Sequence, residues 1–241
     1  MHATLNVLLL QIRNPDDPMR DNEVQCFARA LRRDPSHLET FDLLARSPTP
    51  AELDRTDLLL FGGAGHYSAA GEGQWLERIL DLLREVHAIG KPTFASCWGF
   101  QAMARAMGGR VINDVARAEV GTHELFLTLA GRDDPIFGPL GERFLGQMGH
   151  EDRVDLLPPG ATLLASSDRV ENQAYRFDGL PIYCTQFHPE LTRGDLYTRL
   201  KAYPEYTQRI AHTPLAKIEM LTAETPETEQ LLHRFVEHVF G

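Results

Sequence analysis

The first 107 residues alternate between short, nearly continuous apolar runs and longer amphipathic stretches. Two apolar runs have the length and composition of strands that are buried on both faces: residues 6–12 and 57–61. Residues 40–44 and 91–95 are two further strand candidates. Three other stretches place apolar side chains at helical spacing: residues 22–33, 73–89 and 101–107. Strands and helices in this order predict an α/β fold with an open, mostly parallel sheet and helices on both faces.

The second half of the chain has a different pattern, in which short alternating runs are separated by turn residues. These runs predict antiparallel or mixed strands that extend or flank the main sheet: residues 118–129, 144–148, 154–157, 161–165, 173–177 and 182–187. Helical spacing returns at residues 194–200 and 225–239. Because no linker or internal repeat interrupts the chain, we expect one domain over residues 1–241, with a core at about residues 5–195 and a helical extension over residues 196–241.

Charge and cysteine content exclude several classes of function. The formal net charge is −10, so the sequence predicts no surface for nucleic acid or for an anionic membrane. Cys26, Cys97 and Cys184 are odd in number and far apart, which argues against disulfides and for a reducing compartment. The N-terminus lacks a signal-peptide pattern, and no apolar run reaches the roughly 20 residues of a membrane helix. We therefore expect a cytoplasmic protein.

Residues 93–101 combine a strand, a sharp turn and a helix around one nucleophilic side chain. The apolar pair Phe94-Ala95 leads into the polar pair Ser96-Cys97, Gly99 follows, and a predicted helix comes next. This is the layout of a nucleophile elbow, which lifts one side chain clear of the backbone. It also places Cys97 at a helix N-terminus, where the macrodipole favours the thiolate. The alternative is a buried cysteine that packs as a small hydrophobic residue.

A histidine and a glutamate follow the last predicted strand. His188 stands at the strand end, and Glu190 lies two residues later, beyond Pro189. Because proline cannot extend a strand ladder, the chain turns sharply and can bring the carboxylate back to one imidazole nitrogen while the other faces the thiol. This arrangement predicts a nucleophile, a base and a group that orients the base. The alternative is a hydrogen-bonded histidine at a strand end and a carboxylate at a helix start.

A glycine-rich loop, Gly62-Gly63-Ala64-Gly65, follows the strand predicted at residues 57–61. Glycines let a backbone approach a reacting group closely, and a tetrahedral intermediate needs backbone N–H donors for its oxyanion. The N–H of Trp98, directly after the nucleophile, is the expected second donor. An ordinary βα turn and a phosphate-binding loop are the alternatives, although no lysine follows at P-loop spacing.

The histidine content does not indicate a metal site. The spacing of His66, His123 and His150 fits no ligand motif. A thiol nucleophile with a histidine base requires no metal, and we expect neither a metal nor a cofactor.

Together, the three segments resemble the class I, or triad-type, glutamine amidotransferases, and in particular their GMP-synthetase-like stand-alone branch. The chain carries Ala95-Ser96-Cys97-Trp98-Gly99-Phe100-Gln101 where the family has a Gly-x-Cys-x-Gly-x-Gln elbow. It carries the family's Gln186-Phe187-His188-Pro189-Glu190 in full, and Gly62-Gly63-Ala64-Gly65 where the family has a Gly-Gly-Pro-like oxyanion loop. The resemblance extends from about residue 5 to about residue 195 and implies a flavodoxin-like sheet.

The resemblance implies a role for each matching residue. Cys97 would attack the γ-carboxamide of glutamine, His188 would relay the proton, and Glu190 would orient His188. The backbone N–H groups of Gly63 and Trp98 would bind the oxyanion. The reaction would pass through a γ-glutamyl thioester and give glutamate and ammonia. The substrate would be held by Gln101 and by the backbone of Met148, Gly149 and His150.

Several positions depart from the family pattern. Ala95 replaces a glycine, Ala64 replaces a proline and Phe100 replaces a histidine, but none of these changes removes a catalytic atom. Ser96 and Trp98 are unusual at their positions and predict a changed pocket wall, in which the Trp98 ring shrinks or covers the site.

The sequence leaves three functions open. The first is a glutaminase subunit or stand-alone amidotransferase whose synthetase or acceptor partner lies on another chain. The second is a γ-glutamyl peptidase or hydrolase that acts on a γ-glutamyl amide or peptide. The third is a non-catalytic binding module on the same fold, against which the intact Cys97, His188 and Glu190 argue. The C-terminal extension could serve as a partner surface or as a homodimer surface.

Overall fold

The computed structural model describes residues 5–241. Its strands, in chain order, are β1 (Val7–Gln11), β2 (Leu38–Asp42), β3 (Leu58–Phe61), β4 (Thr93–Ser96), β5 (Arg110–Asn113), β6 (Glu119–Leu127), β7 (Arg143–His150), β8 (Asp152–Leu156), β9 (Ala161–Ser166), β10 (Ala174–Phe177) and β11 (Ile182–Thr185). Its α-helices are α1 (Met19–Ala30), α2 (Pro50–Asp54), α3 (Gln74–Ala88), α4 (Trp98–Ala106), α5 (Leu129–Asp133), α6 (Arg193–Ala202), α7 (Leu215–Leu221) and α8 (Leu231–Phe240). A π-helical turn, Tyr206–Ile210, lies between α6 and α7.

Nine strands of the described chain form one sheet in the order β2-β1-β3-β4-β11-β10-β9-β6-β7. From β2 to β11 each strand is parallel to its neighbour, and the pairs from β11 to β7 are antiparallel. The predicted α/β fold is therefore confirmed, both in its parallel first half and in the antiparallel strands that the second half adds. Although β11 comes late in the chain, it pairs in parallel with β4.

Alternate side chains of β1 enter two hydrophobic clusters, one on each face of the sheet. Leu8 and Leu10 belong to the cluster with α3 and α4, whereas Val7 and Leu9 belong to the cluster with α1 and α8. All five β1 side chains are buried, which explains the continuous apolar run in the sequence. Each fully buried leucine contributes roughly 1.5–3 kcal/mol to the stability of this core.

The C-terminal helix packs against the same core. Phe235 of α8 contacts the rings of Phe94 and Tyr183 edge to face, with centroids 5.5 and 5.6 Å apart. Leu231 and Leu232 of the same helix are fully buried. The hydrophobic core therefore includes side chains beyond residue 195.

The start of the last helix differs from the prediction. The pattern predicts a helix over residues 225–239, but α8 begins at Leu231. Thr225 and Thr228 are buried before it, and the Thr228 hydroxyl donates to the Leu145 carbonyl of β7 at 2.5 Å. The prediction was wrong at this end because side-chain bonds to the sheet hold residues that the periodicity alone assigns to the helix.

Several short elements have no counterpart in the prediction: β5, α2, α5 and α7. Each has four to seven residues, which is too few for a helical or strand period to be recognised. A capping box between Thr49 and Glu52, with Pro50 at the first helical position, stabilises α2 instead. β5 pairs with β8 in a separate two-stranded sheet, so β8 flanks the main sheet. Within residues 5–241, no helix is both long enough and apolar enough to cross a membrane.

The carboxyl ends of β3, β4 and β11 lie side by side at one edge of the sheet. Ser96 at the end of β4 is in register with Thr185 at the end of β11, and the Cys97 N–H donates to the Thr185 carbonyl at 2.7 Å. On the other side of β4, Phe61 at the end of β3 is in register with Ala95. In open α/β sheets ligands bind beyond these ends, and the three segments singled out in the sequence meet there.

Candidate active site

Cys97 occupies a strained turn between β4 and α4. Its backbone has φ 52° and ψ −103°, and a positive φ of this kind costs a non-glycine residue about 1–3 kcal/mol. The helix begins at the next residue, Trp98, and not within residues 101–107 as predicted, because the turn leads directly into it. Backbone strain of this kind is concentrated at active sites.

The turn can close because residue 99 is a glycine. A Cβ on Gly99 would lie 2.5 Å from the Cβ of Phe61 and 3.2 Å from that of Ala95. The Gly99 N–H also donates to the Gly62 carbonyl at 3.3 Å, which joins the elbow to the glycine-rich loop. The methyl group of Ala95, which departs from the family's glycine, is accommodated because residue 99 has no side chain.

His188 and Glu190 form a buried pair directly after β11. His188 Nδ1 lies 2.7 Å from Glu190 Oε1, and the two residues are 5% and 1% exposed. The main chain fixes the histidine, since its N–H donates to the Gln147 carbonyl at 2.9 Å. Because the carboxylate engages Nδ1, Nε2 is the ring nitrogen that can serve the thiol of Cys97.

Charges outweigh burial in setting the protonation of this pair. Burial alone would lower the pKa of His188, but the Glu190 carboxylate and the Cys97 thiol raise that pKa to about 9. Burial also favours the neutral form of Glu190, but the neighbouring His188 and Arg199 outweigh it and hold the pKa of Glu190 below its usual range. Near neutral pH the pair is therefore an imidazolium and a carboxylate.

A buried arginine that the sequence analysis misses lies against this pair. Arg199 on α6 is 7% exposed, and its Nη1 is 3.5 Å from Glu190 Oε1 and 3.4 Å from His188 Nδ1. Leu196 and Leu200 are buried on the same helix. Residues three apart share a helix face, and Arg199 is three residues after the buried Leu196. This spacing is the sequence signal that could have predicted a buried position for Arg199.

The glycine-rich loop lies against the imidazole. A Cβ on Gly63 would be 3.1 Å from His188 Cε1, so the loop backbone meets the ring with no side chain between them. A Cβ on Gly65 would lie 2.7 Å from the Tyr203 hydroxyl oxygen. Arg13 donates to that oxygen at 2.6 Å. A buried arginine and a tyrosine from α6's end thus support the loop.

A pocket of about 270 Å³ opens beside Cys97. Its lining comes from the glycine-rich loop, the elbow, the turn between β7 and β8, and the C-terminal π-helical turn. The π-helical turn and the residue before it contribute Glu205, Tyr206, Arg209 and Ile210. No periodic pattern marks such a short turn, so sequence reasoning gave residues 196–241 no place in the site.

Gln101, Gly149 and His150, three of the four predicted substrate-binding residues, border the pocket. The Cys97 thiol donates a long hydrogen bond to the Gly149 carbonyl, with Sγ and O 3.9 Å apart. Gln101 Nε2 donates to the Asp152 carbonyl at 2.7 Å and to Gln186 Oε1 at 3.1 Å. These two bonds fix the Gln101 amide at the pocket wall.

The side chains of Met148 and His150 are directed into the protein. Met148 is fully buried in the core. His150 lies with Nδ1 3.0 Å from the Asp152 carbonyl and Nε2 3.0 Å from the Glu119 carboxylate. Glu119 is also 3.9 Å from His123 Nδ1. Over residues 5–241, however, no group of three or more His, Cys, Asp or Glu side chains is placed to hold a metal ion.

The Trp98 ring is both a pocket wall and a core residue. It is 1% exposed and belongs to the hydrophobic cluster that contains α3. Its centroid lies 6.1 Å from that of Trp75. The exposed rim of the pocket comes instead from His66 and Arg209, whose side chains are 58% and 56% exposed.

The glutamine amidotransferase class-I family model matches residues 21–200 of the chain. A GMP synthase (glutamine-hydrolyzing) from Streptomyces avermitilis is 32% identical over 157 residues, which are 65% of this chain and 27% of the relative. The chain thus spans about a quarter of that relative. Gamma-glutamyl peptidase 3 from Arabidopsis thaliana is 25% identical over 195 residues, covering 77% of this chain and 74% of the peptidase.

A solved structure has the same fold. The crystal structure of a glutamine amidotransferase from Thermotoga maritima superposes with a TM-score of 0.76 over 98% of both chains, at 22% identity. Since the family model covers most of the chain, and since β4 and β11 bring the three segments together as described, the chain belongs to the class I glutamine amidotransferase family.

Proposed function

We propose that this protein hydrolyses the γ-amide of glutamine through a thioester on Cys97, and that a synthetase on another chain receives the ammonia. The observation that carries the proposal is the parallel pairing of β4 with β11. It sets the strained Cys97 turn beside the buried His188–Glu190 pair, whose Nδ1 and Oε1 are 2.7 Å apart. Membership of a glutamine amidotransferase family supports the substrate.

The first half-reaction forms the thioester. Sγ of Cys97 attacks the amide carbon, and the thiol proton is carried by Nε2 of His188. Glu190 stabilises the imidazolium through Nδ1. We assign the oxyanion to the backbone N–H groups of Gly63 and Trp98. The imidazolium then protonates the amide nitrogen, the C–N bond breaks, and ammonia leaves.

The second half-reaction restores the thiol. His188, now neutral, takes a proton from a water molecule that attacks the thioester carbon. The C–S bond breaks, glutamate leaves, and the proton returns to Sγ of Cys97. The imidazole thus acts as acid and base in turn, which requires Glu190 to hold one ring nitrogen throughout.

A γ-glutamyl peptidase is the second candidate, and one observation favours it. The match to the Arabidopsis peptidase extends over 74% of that protein, whereas the match to the Streptomyces GMP synthase extends over 27%. The thioester chemistry would be the same, and the leaving group would be an amino acid or a peptide in place of ammonia.

Product release from two kinds of donor tests the proposal. Purified protein is given glutamine or γ-glutamyl dipeptides, and ammonia or the released amino acid is measured. We expect ammonia from glutamine, and we expect Cys97→Ala or His188→Asn to reduce it by about 10³-fold or more. Faster release from the dipeptides would favour the peptidase. Release that survives in Cys97→Ala would contradict both functions.

A further inference from the structure

The π-helical turn Tyr206–Ile210 forms a wall of the pocket close to the nucleophile. An atom of the Tyr206 ring lies 3.9 Å from the position of a Cβ on Gly149, and the Gly149 carbonyl lies 3.9 Å from Cys97 Sγ. The Tyr206 ring also packs against that of Tyr203, with centroids 6.3 Å apart. Cys97, Gly149 and Tyr206 are therefore successive neighbours along the pocket wall.

Arg209, one turn beyond Tyr206, faces Glu151 from the turn between β7 and β8. Arg209 Nη2 donates to Glu151 Oε1 at 3.0 Å, and its Nη1 lies 2.9 Å from Oε2. The two contacts form a fork-like ion pair, in which the Arg209 and Glu151 side chains are 56% and 27% exposed. Both residues line the pocket, which thus has a cation and an acceptor side by side at its wall.

The other charged groups of the pocket have different partners. The Asp152 carboxylate accepts from the Ser68 hydroxyl at 2.5 Å and from the Asn113 amide at 2.8 Å. His66 Nδ1 lies 3.8 Å from Glu205 Oε1. Arg209 and Glu151 are therefore the pocket's arginine–carboxylate pair, and a ligand with both charges can replace each member as the partner of the other.

We propose that Arg209 and Glu151 bind the amino-acid end of the substrate, with Arg209 at the α-carboxylate and Glu151 at the α-ammonium. The proposal rests on the proposed γ-glutamyl hydrolysis and names how that substrate is recognised. When a zwitterionic substrate binds, Arg209 exchanges the Glu151 carboxylate for the substrate's α-carboxylate, and Glu151 exchanges the Arg209 guanidinium for the α-ammonium. The new contacts are charge-assisted hydrogen bonds, which are strong. Because the Arg209–Glu151 ion pair is partly exposed, it contributes little to the stability of the fold, and breaking it for a ligand costs little free energy. Tyr206 then lies beside the aliphatic chain of the substrate.

Alkylation of Cys97 by two reagents separates recognition from reactivity. A diazo-ketone analogue of glutamine carries both α-groups, and iodoacetamide carries neither. We expect Arg209→Gln to slow the diazo-ketone about tenfold and to leave the iodoacetamide rate unchanged. Arg55→Gln is the matched control, because Arg55 is an exposed arginine paired with Glu39 at 3.0 Å and neither lines the pocket.

Three chromogenic donors assign the two charges separately. The p-nitroanilide of a γ-glutamyl group carries both α-groups, the γ-aminobutyryl donor lacks the carboxylate, and the glutaryl donor lacks the ammonium. We expect Arg209→Gln to lose the preference for γ-glutamyl over γ-aminobutyryl and to keep the preference over glutaryl. Glu151→Gln should show the reverse.

The outcomes distinguish this proposal from the one on which it rests. If both variants keep both preferences and the diazo-ketone rate stays within about twofold of the wild type, the recognition role of Arg209 and Glu151 is wrong and the hydrolysis stands. If the diazo-ketone does not alkylate Cys97 in the wild-type protein, the proposed hydrolysis fails, and the recognition proposal fails with it.

Discussion

At the scale of single residues, the protonation of His188 depends on the carboxylate beside it. Burial of the ring favours the neutral imidazole, and Glu190 at 2.7 Å reverses that preference. In a cysteine–histidine pair the reactive form is a thiolate beside an imidazolium, because the proton that has left sulfur is already held on the ring and can then be given to the leaving group. The same charge pair also makes the stability of the fold depend on pH.

The sign of this dependence follows from the raised pKa. The pKa of His188 is about 9 in the folded protein and 6.5 for an ordinary histidine, so its contribution to stability is complete below pH 6.5 and is lost as the pH rises through about 9. The loss is at most about 3 kcal/mol. We expect Glu190→Gln to remove this decline, as measured by urea unfolding at a series of pH values.

A matched variant controls for the loss of a carboxylate as such. Glu52 pairs with Arg46 on the surface, and the Arg46 side chain is 55% exposed. Glu52→Gln should therefore leave the decline of unfolding free energy between pH 6.5 and about 9 as it is in the wild type. A decline of the same size in Glu190→Gln would show that the Glu190 carboxylate is not the cause of the decline.

At the scale of elements, the elbow between β4 and α4 depends on the absence of a side chain at residue 99. A methyl group there would come within 2.5 Å of the Phe61 Cβ and would push α4 away from the sheet. Since α4 begins directly after Cys97, such a shift would also move the Cys97 thiol relative to His188. Packing and the position of the thiol are thus coupled through one glycine.

A substitution at this glycine should affect stability and reactivity together. We expect Gly99→Ala to lower the free energy of unfolding by about 1–3 kcal/mol and to slow alkylation of Cys97. Gly194→Ala in the first turn of α6 is the control, because the nearest atom to its Cβ would be Thr192 Oγ1 at 3.7 Å and alanine favours a helix. Equal effects of the two changes, measured by urea unfolding and alkylation rate, would contradict this account.

Elements that rest on continuous patterns could be predicted, and elements that rest on tertiary contacts could not. The run at residues 57–61 and the amphipathic stretch at residues 73–89 predict β3 and α3 to within a residue or two. The π-helical turn Tyr206–Ile210 has no such pattern, since its place depends on packing against Gly149 and Tyr203. The same holds for Arg199, whose role depends on where the end of β11 brings Glu190.

At the scale of the whole molecule, distant parts of the chain meet at one edge of the sheet. The glycine-rich loop follows β3, Cys97 follows β4, and His188 follows β11, which lies about 90 residues further along the chain and is parallel to β4. The order of the three motifs could be read from the sequence, but their proximity depends on the sheet order. The C-terminal segment then adds a pocket wall and, through α8, part of the core.

The other two cysteines of the chain are internal controls for the proposal that Cys97 is a nucleophile for γ-glutamyl compounds. Cys26 and Cys184 are fully buried, and burial raises the pKa of each thiol to about 12. Cys97 is 8% exposed and lines the pocket. The three thiols therefore differ in access to the same reagent within one molecule.

The most direct test is peptide mapping by mass spectrometry after reaction with the diazo-ketone analogue of glutamine. We expect one adduct per chain, on Cys97, which is absent from Cys97→Ala and forms at least about tenfold more slowly in His188→Asn. An adduct that forms as fast on Cys26 or Cys184, or a folded wild-type protein that gains no adduct, would contradict the proposal.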